Sequence, residues 1–85
     1  MNEFYGLDRA QVGDKFKEAL KYYDLAIKQA PDWPNLYLQR AGVYIMRYQR
    51  DDLAKAEKDI GKAIALDPDY PGIQKQLQLI QSLAP

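Results

Sequence analysis

The chain has 85 residues, with twelve Lys and Arg balanced by twelve Asp and Glu, and with neither Cys nor His. A chain of that length makes one domain and buries only about 60–65% of the surface its unfolded form exposes, so its core is thin. The missing Cys and His exclude a disulfide framework, zinc-finger spacing and a Cys or His nucleophile–base pair, and the lack of surplus positive charge argues against a nucleic-acid backbone or an anionic membrane as partner.

The first residues, MNEFYGLDRA, have no basic segment leading into an apolar core. The longest apolar run, AGVYIM, is far below the ~20 residues that span a bilayer. The expectation is a soluble, unprocessed, cytoplasmic chain without membrane insertion. In chain order, NEFYGLDRAQV (residues 2–12) predicts a short opening helix that ends at Gly13 and Asp14. Phe16, Ala19, Leu20, Tyr23, Ala26 and Ile27 recur with helical period and predict a second, amphipathic helix. It stops at APDWPN (30–35), where Pro31 biases Ala30 away from the α region. Pro34 suits the first turn of the next helix, where a missing N–H costs nothing.

Tyr37, Ala41, Tyr44 and Tyr48 recur at i, i+4, i+7 and i+11, which makes PNLYLQRAGVYIMRY a third helix. Asp51 and Asp52 are N-cap candidates for a fourth, whose apolar positions are Leu53, Ala56, Ile60, Ala63 and Ile64. DPDYPG (67–72) then repeats the stop and restart with Pro68 and Pro71, and a fifth helix carries Ile73, Leu77 and Ile80 on one face. The fold class is therefore all-α, about five helices joined by tight turns as antiparallel neighbours.

A shift of 37 positions superposes Ala19 on Ala56, Lys21 on Lys58, Ala26 on Ala63 and Ile27 on Ile64, and then Pro31, Asp32 and Pro34 on Pro68, Asp69 and Pro71. Trp33 falls opposite Tyr70. Self-similarity of this kind marks a repeated helix-turn-helix unit. The residues that carry it are Tyr37, Arg40, Ala41, Tyr44, Ala56, Ile60, Ala63 and Pro68 in the second unit, and Gly13, Phe16, Ala19, Tyr23, Ala26 and Pro31 in the first. In this spacing the chain resembles the tetratricopeptide repeat family, whose unit is about 34 residues.

The resemblance covers nearly the whole chain and implies a single domain over 1–85: repeat one at about 2–33, repeat two at about 34–70 and a capping helix at about 71–84. There are two departures. About three extra residues sit around YQRDDLA, and Asn2 stands where the family has an aromatic. Sel1-like repeats have a similar length, but their Gly-x-Gly pattern is absent. The resemblance further implies that Ala19, Ala26, Ala41, Ala56 and Ala63 let helix axes approach to the lower end of ~8–10 Å. Gln74, Gln78 and Gln81 would then form the solvated outer face of the cap.

A catalytic acid–base pair needs two carboxyls facing one pocket with separated pKa values. Glu57 and Asp59 point apart on a helix, Asp51 and Asp52 serve a helix N-terminus, and Asp67 with Asp69 sits in a turn motif. No phosphate loop, Ser-centred elbow or EF-hand loop is present. The expectation is no enzyme, no cofactor and no metal. Lys17, Lys21 and Lys28 line one helix and Lys55, Lys58 and Lys62 another; with Asp24 four residues before Lys28 and Asp51 four before Lys55, both read as solvated, ion-paired faces. Most of the Tyr residues fall on core faces, with hydroxyls reaching water at the rim.

Leu38, Gly42 and Ile45 form a second apolar stripe, rotated by about 100° from the Tyr37–Tyr48 stripe, and Leu79 and Leu83 lie outside the Ile73–Ile80 face. With Leu7 and Gln39 they match the places that line the concave groove of tetratricopeptide proteins, while the alternative is a core stripe wider than about 100°. The resemblance thus implies a non-enzymatic protein–protein interaction scaffold that holds an apolar helix or peptide at Leu7, Leu38, Gln39, Gly42, Ile45, Leu79 and Leu83. The alternative is a homodimer formed through the same face. Glu3, Leu7, Gln39, Gly72 and Gln76 occupy the places from which family members grip acidic chaperone tails, and they supply no cationic set.

Overall fold

A computed structural model describes residues 9–84, with side chains from residue 12 onward. Leu7 and most of the predicted opening helix lie outside the described residues. Within them the chain forms four helices and no strand: α1 (Arg9–Gln29), α2 (Pro34–Arg47), α3 (Asp52–Leu66) and α4 (Ile73–Leu83). The five-helix count needs correction, because α1 runs through Gly13 and Asp14 without a break. One interior Gly costs a helix about 1 kcal/mol relative to Ala, too little to interrupt a ladder with no proline from Arg9 to Gln29.

The proline motifs act differently at their two sites. At the first, the Ala30 amide still donates to the Ala26 carbonyl (2.8 Å), Pro31 ends the helix, and Pro34 opens α2 behind an extended Trp33. The Tyr37 hydroxyl donates back to the Pro31 carbonyl (2.8 Å), so it is tied to the turn rather than wetted at the rim. At the second, Pro71 stays outside the helix. Gly72 holds φ 98° at the N-cap of α4, and a residue in that left-handed region cannot lie inside a right-handed helix, so the restart waits until Ile73. The extra residues between α2 and α3 form a corner with two left-handed positions, Tyr48 (φ 50°) and Asp51 (φ 68°).

Among the described elements, α2 packs against α1, α3 and α4, α3 also meets α4, and α1 touches α2 alone. The core comprises Tyr37, Leu38, Ala41 and Ile45 of α2, Ala56, Ile60 and Ala63 of α3, and Ile73 and Ile80 of α4. Ala41, Ala56 and Ala63 are fully enclosed, whereas Ala19 and Ala26 are half-buried on a helix with one described neighbour. Gln74, Gln78 and Gln81 are exposed. No described helix is long and apolar enough to cross a membrane.

The enclosed alanines make the seam sensitive to volume. Ala63→Leu is expected to cost roughly 1–3 kcal/mol through overpacking, while Ala65→Leu on the exposed face of α3 should change stability by less than about 0.5 kcal/mol. Urea unfolding of the two variants checks the assignment; equal effects would contradict it.

Candidate functional site

The apolar stripe of Leu38, Gly42 and Ile45 is divided by the packing of α4. Leu38 and Ile45 are 4% and 7% exposed and belong to the core cluster with Ile73 and Ile80. The reason is local: α4 lies over α2, and the Gln76 amide donates to the Leu38 carbonyl (2.9 Å). Gly42 sits beside this contact, where an added Cβ would lie 3.6 Å from Gln76 Nε2. At the far end the Tyr48 hydroxyl donates to the Leu83 carbonyl (3.1 Å). The wider-core alternative therefore describes Leu38 and Ile45, and neither is available to a partner.

What remains open is a neighbouring strip. On α2 it carries Gln39, Gly42 and Met46, and on α4 Gln76, Leu79 and Leu83, each set at i, i+3 and i+7 and so on one helix side. Met46 is 70% and Leu79 45% exposed; Gln39 is exposed, while Gly42, Gln76 and Leu83 are half-buried. Four of the residues singled out from sequence, Gln39, Gly42, Leu79 and Leu83, thus share a face. Leu7 lies outside the described residues. Met46 was missed, although it follows Gly42 by one helical turn and helix arithmetic alone points to it.

The far side of α2 is polar and tightly paired. Arg40 donates from Nε and Nη2 to both carboxylate oxygens of Asp59 (2.8 and 2.7 Å) and from Nη1 to Asp24 (2.9 Å), joining α2 to α3 and α1. Arg47 makes a similar fork to Asp52 (2.8 and 2.8 Å), whose Oδ2 also accepts from the Gln49 amide (2.9 Å). Asp52 is fully enclosed, and its hydrogen bonds from Arg47 hold its carboxyl below the usual range. The bonds that Arg40 donates to Asp59 likewise hold its guanidinium above its ordinary value. Burial raises the Tyr44 phenol above its ordinary value.

Two sequence-derived pairings are replaced by these. Asp24 pairs with Arg40 on the neighbouring helix and not with Lys28. Lys55 lies over the Tyr44 ring (5.7 Å to its centroid) and not against Asp51. The N-cap expectation also changes, since Asp51 makes no side-chain cap bond and the carboxylate of Asp52 reaches back into the corner. Sequence separation hid these pairs: nothing in a single helix shows which neighbour a charged side chain faces. No protein-family model, curated protein or solved structure matches this chain.

Charge-assisted bonds to an enclosed acceptor each count for about 1.5–3 kcal/mol, so Asp52→Asn is expected to destabilise by that order at neutral pH. Asp52 has a folded pKa below its unfolded value, so its contribution is fully present above the ordinary carboxylate value of about 3.9 and is lost as pH falls through the depressed folded value. Denaturant melts should show the gap between wild type and variant constant at neutral pH and closing in acid. Gly42→Ala meets ordinary contact distances and should add about 0.5–1 kcal/mol through helix propensity; a loss in the same melts would show that α4 sits closer to α2 than described.

Proposed function

We propose that this chain is a non-enzymatic interaction module of tetratricopeptide-like repeats, working in the cytoplasm. In this reading it holds an apolar helix or peptide segment on the strip between α2 and α4. The observation that carries the reading is the pair Met46 and Leu79, 70% and 45% exposed, Met46 one turn beyond the side-chain-free backbone of Gly42 on α2 and Leu79 three residues beyond Gln76 on α4. A partner side chain can approach the helix there and be covered by two flexible apolar residues, as Met-containing surfaces allow. Support for a non-catalytic role comes from Asp52 and Asp59. Each is bound to an Arg fork, an arrangement that holds a carboxylate as a fixed charged acceptor and not as a group that trades protons.

A second copy of the chain is the alternative occupant. The balanced charge of the sequence sets up no long-range repulsion between copies, and the same strip would form an isologous contact.

The test is a displayed peptide library selected on the immobilised chain, together with light-scattering mass in dilute solution. Enriched peptides should be apolar and amphipathic, and Met46→Glu or Leu79→Glu should weaken them by about tenfold or more while leaving the thermal melt unchanged. Leu38→Glu should instead unfold the domain, because its charge would be buried without a partner. A doubled mass that Met46→Glu returns to the monomer supports the second copy. Peptides that bind the Glu variants undiminished would sink the peptide reading, and a monomeric mass, or a doubled mass that Met46→Glu leaves unchanged, would sink the second copy.

A further inference from the structure

On the far side of α2 from Met46 and Leu79, a cleft of about 560 Å³ opens between α1 and α3. Among the described residues the backbones of the two helices do not meet; each packs on α2, whose Tyr37, Arg40 and Tyr44 form the floor. Asp24 of α1 stands on one side, and Lys55, Lys58, Asp59 and Lys62 of α3 on the other. The Arg40 guanidinium is taken by Asp59 and Asp24, one cation against two carboxylates.

That leaves three ammonium groups. Among the described residues no carboxylate lies within 4.0 Å of Lys55, Lys58 or Lys62. Their spacing at i, i+3 and i+7 sets them along one side of α3 over about 10 Å at 1.5 Å per residue. The cleft therefore holds four cations against two carboxylates, a local positive excess in a chain whose net charge is zero.

We propose that this cleft binds a small polyanion carrying phosphate groups, held against α3 by Lys55, Lys58 and Lys62. The volume falls within the roughly 300–1,000 Å³ of small-ligand sites. The chemistry favours phosphate over carboxylate. The group suited to a planar carboxylate, the Arg40 fork, is already occupied, and the free groups are ammonium point charges that suit a compact anion with several oxygens. The Tyr44 ring at the floor lies under the Lys55 ammonium (5.7 Å to its centroid). Asp24 on the opposite side repels an anion and so sets it toward the lysines. This site shares no residue with the α2–α4 strip, so either reading can fail without the other.

Calorimetric titration of the full chain with inorganic tripolyphosphate at low salt tests the proposal. Saturable single-site binding is expected, weakened by about tenfold or more in the double variant Lys58→Gln, Lys62→Gln and weakened also by Lys55→Gln. The lysines are exposed, so thermal melts of these variants should match wild type. Lys17→Gln with Lys21→Gln removes the same charge from α1 outside the cleft and should leave the affinity unchanged. Inorganic monophosphate should bind more weakly than tripolyphosphate. Absence of saturable binding, an equal loss in the α1 variant, or an oligoglutamate peptide binding as tightly as tripolyphosphate would each overturn it.

Discussion

Two helices can press closely along their length only where the seam carries little side-chain volume, and the rest of this structure follows from one such seam. Ala41 on α2 and Ala56 and Ala63 on α3 are all fully enclosed where the two helices pack, and side chains this small permit axes at the near end of the ~8–10 Å range. Ile60 is fully buried in the same core. In a chain this small, with a thin core, most of the buried apolar volume lies on or next to this one contact. α4 then lies across the pair, and its Ile73 and Ile80 close the core over Leu38 and Ile45.

Covering α2 on three sides divides what is left of its surface into two unlike regions. Toward α4 an apolar strip stays open, with Met46 and Leu79 left exposed. Toward α1 and α3 the surface is ionic, with Arg40 reaching to both neighbouring helices and Arg47 tying the corner at Asp52. Enclosed ion pairs add little net stability once desolvation is counted, and breaking one is costly. Their effect here is to hold specific neighbours together: among the described residues Asp24 is the charged tie that connects α1 to α2.

The occupation of Arg40 also has an effect on its surroundings. Two carboxylates converge on one guanidinium, and among the described residues the lysines of α3 pair with no carboxylate, Lys55 lying over the Tyr44 ring. Had Asp59 paired with Lys55 or Lys62 along its own helix, the positive excess there would be smaller. The two candidate faces of the molecule, one apolar and one cationic, are thus set by how the neighbours of α2 are arranged around it.

Much of the fold was legible in the chain itself. The helical periods of α2, α3 and α4, the proline stops after Gln29 and Leu66, the small residues of the seam and the exposed Gln side of α4 all depend on local propensity or on the spacing of residues along one helix. Four of the seven residues assigned to the groove share the open strip for the same reason. Other features needed the tertiary structure. Periodicity shows that Leu38, Gly42 and Ile45 share a side of α2, but only the seat of α4 decides that two of them are core and the third borders an open strip. The continuity of α1 through Gly13 reflects a small propensity cost outweighed by the rest of its ladder, and Gly72 overrode Pro71 because a positive φ must precede the helix. The partners of Arg40, Arg47 and Asp24 lie on other helices or across a corner. A sequence determines which side chains share a face, and only the packed fold decides what that face meets, because burial and ion pairing depend on the distance between elements that the chain order does not contain.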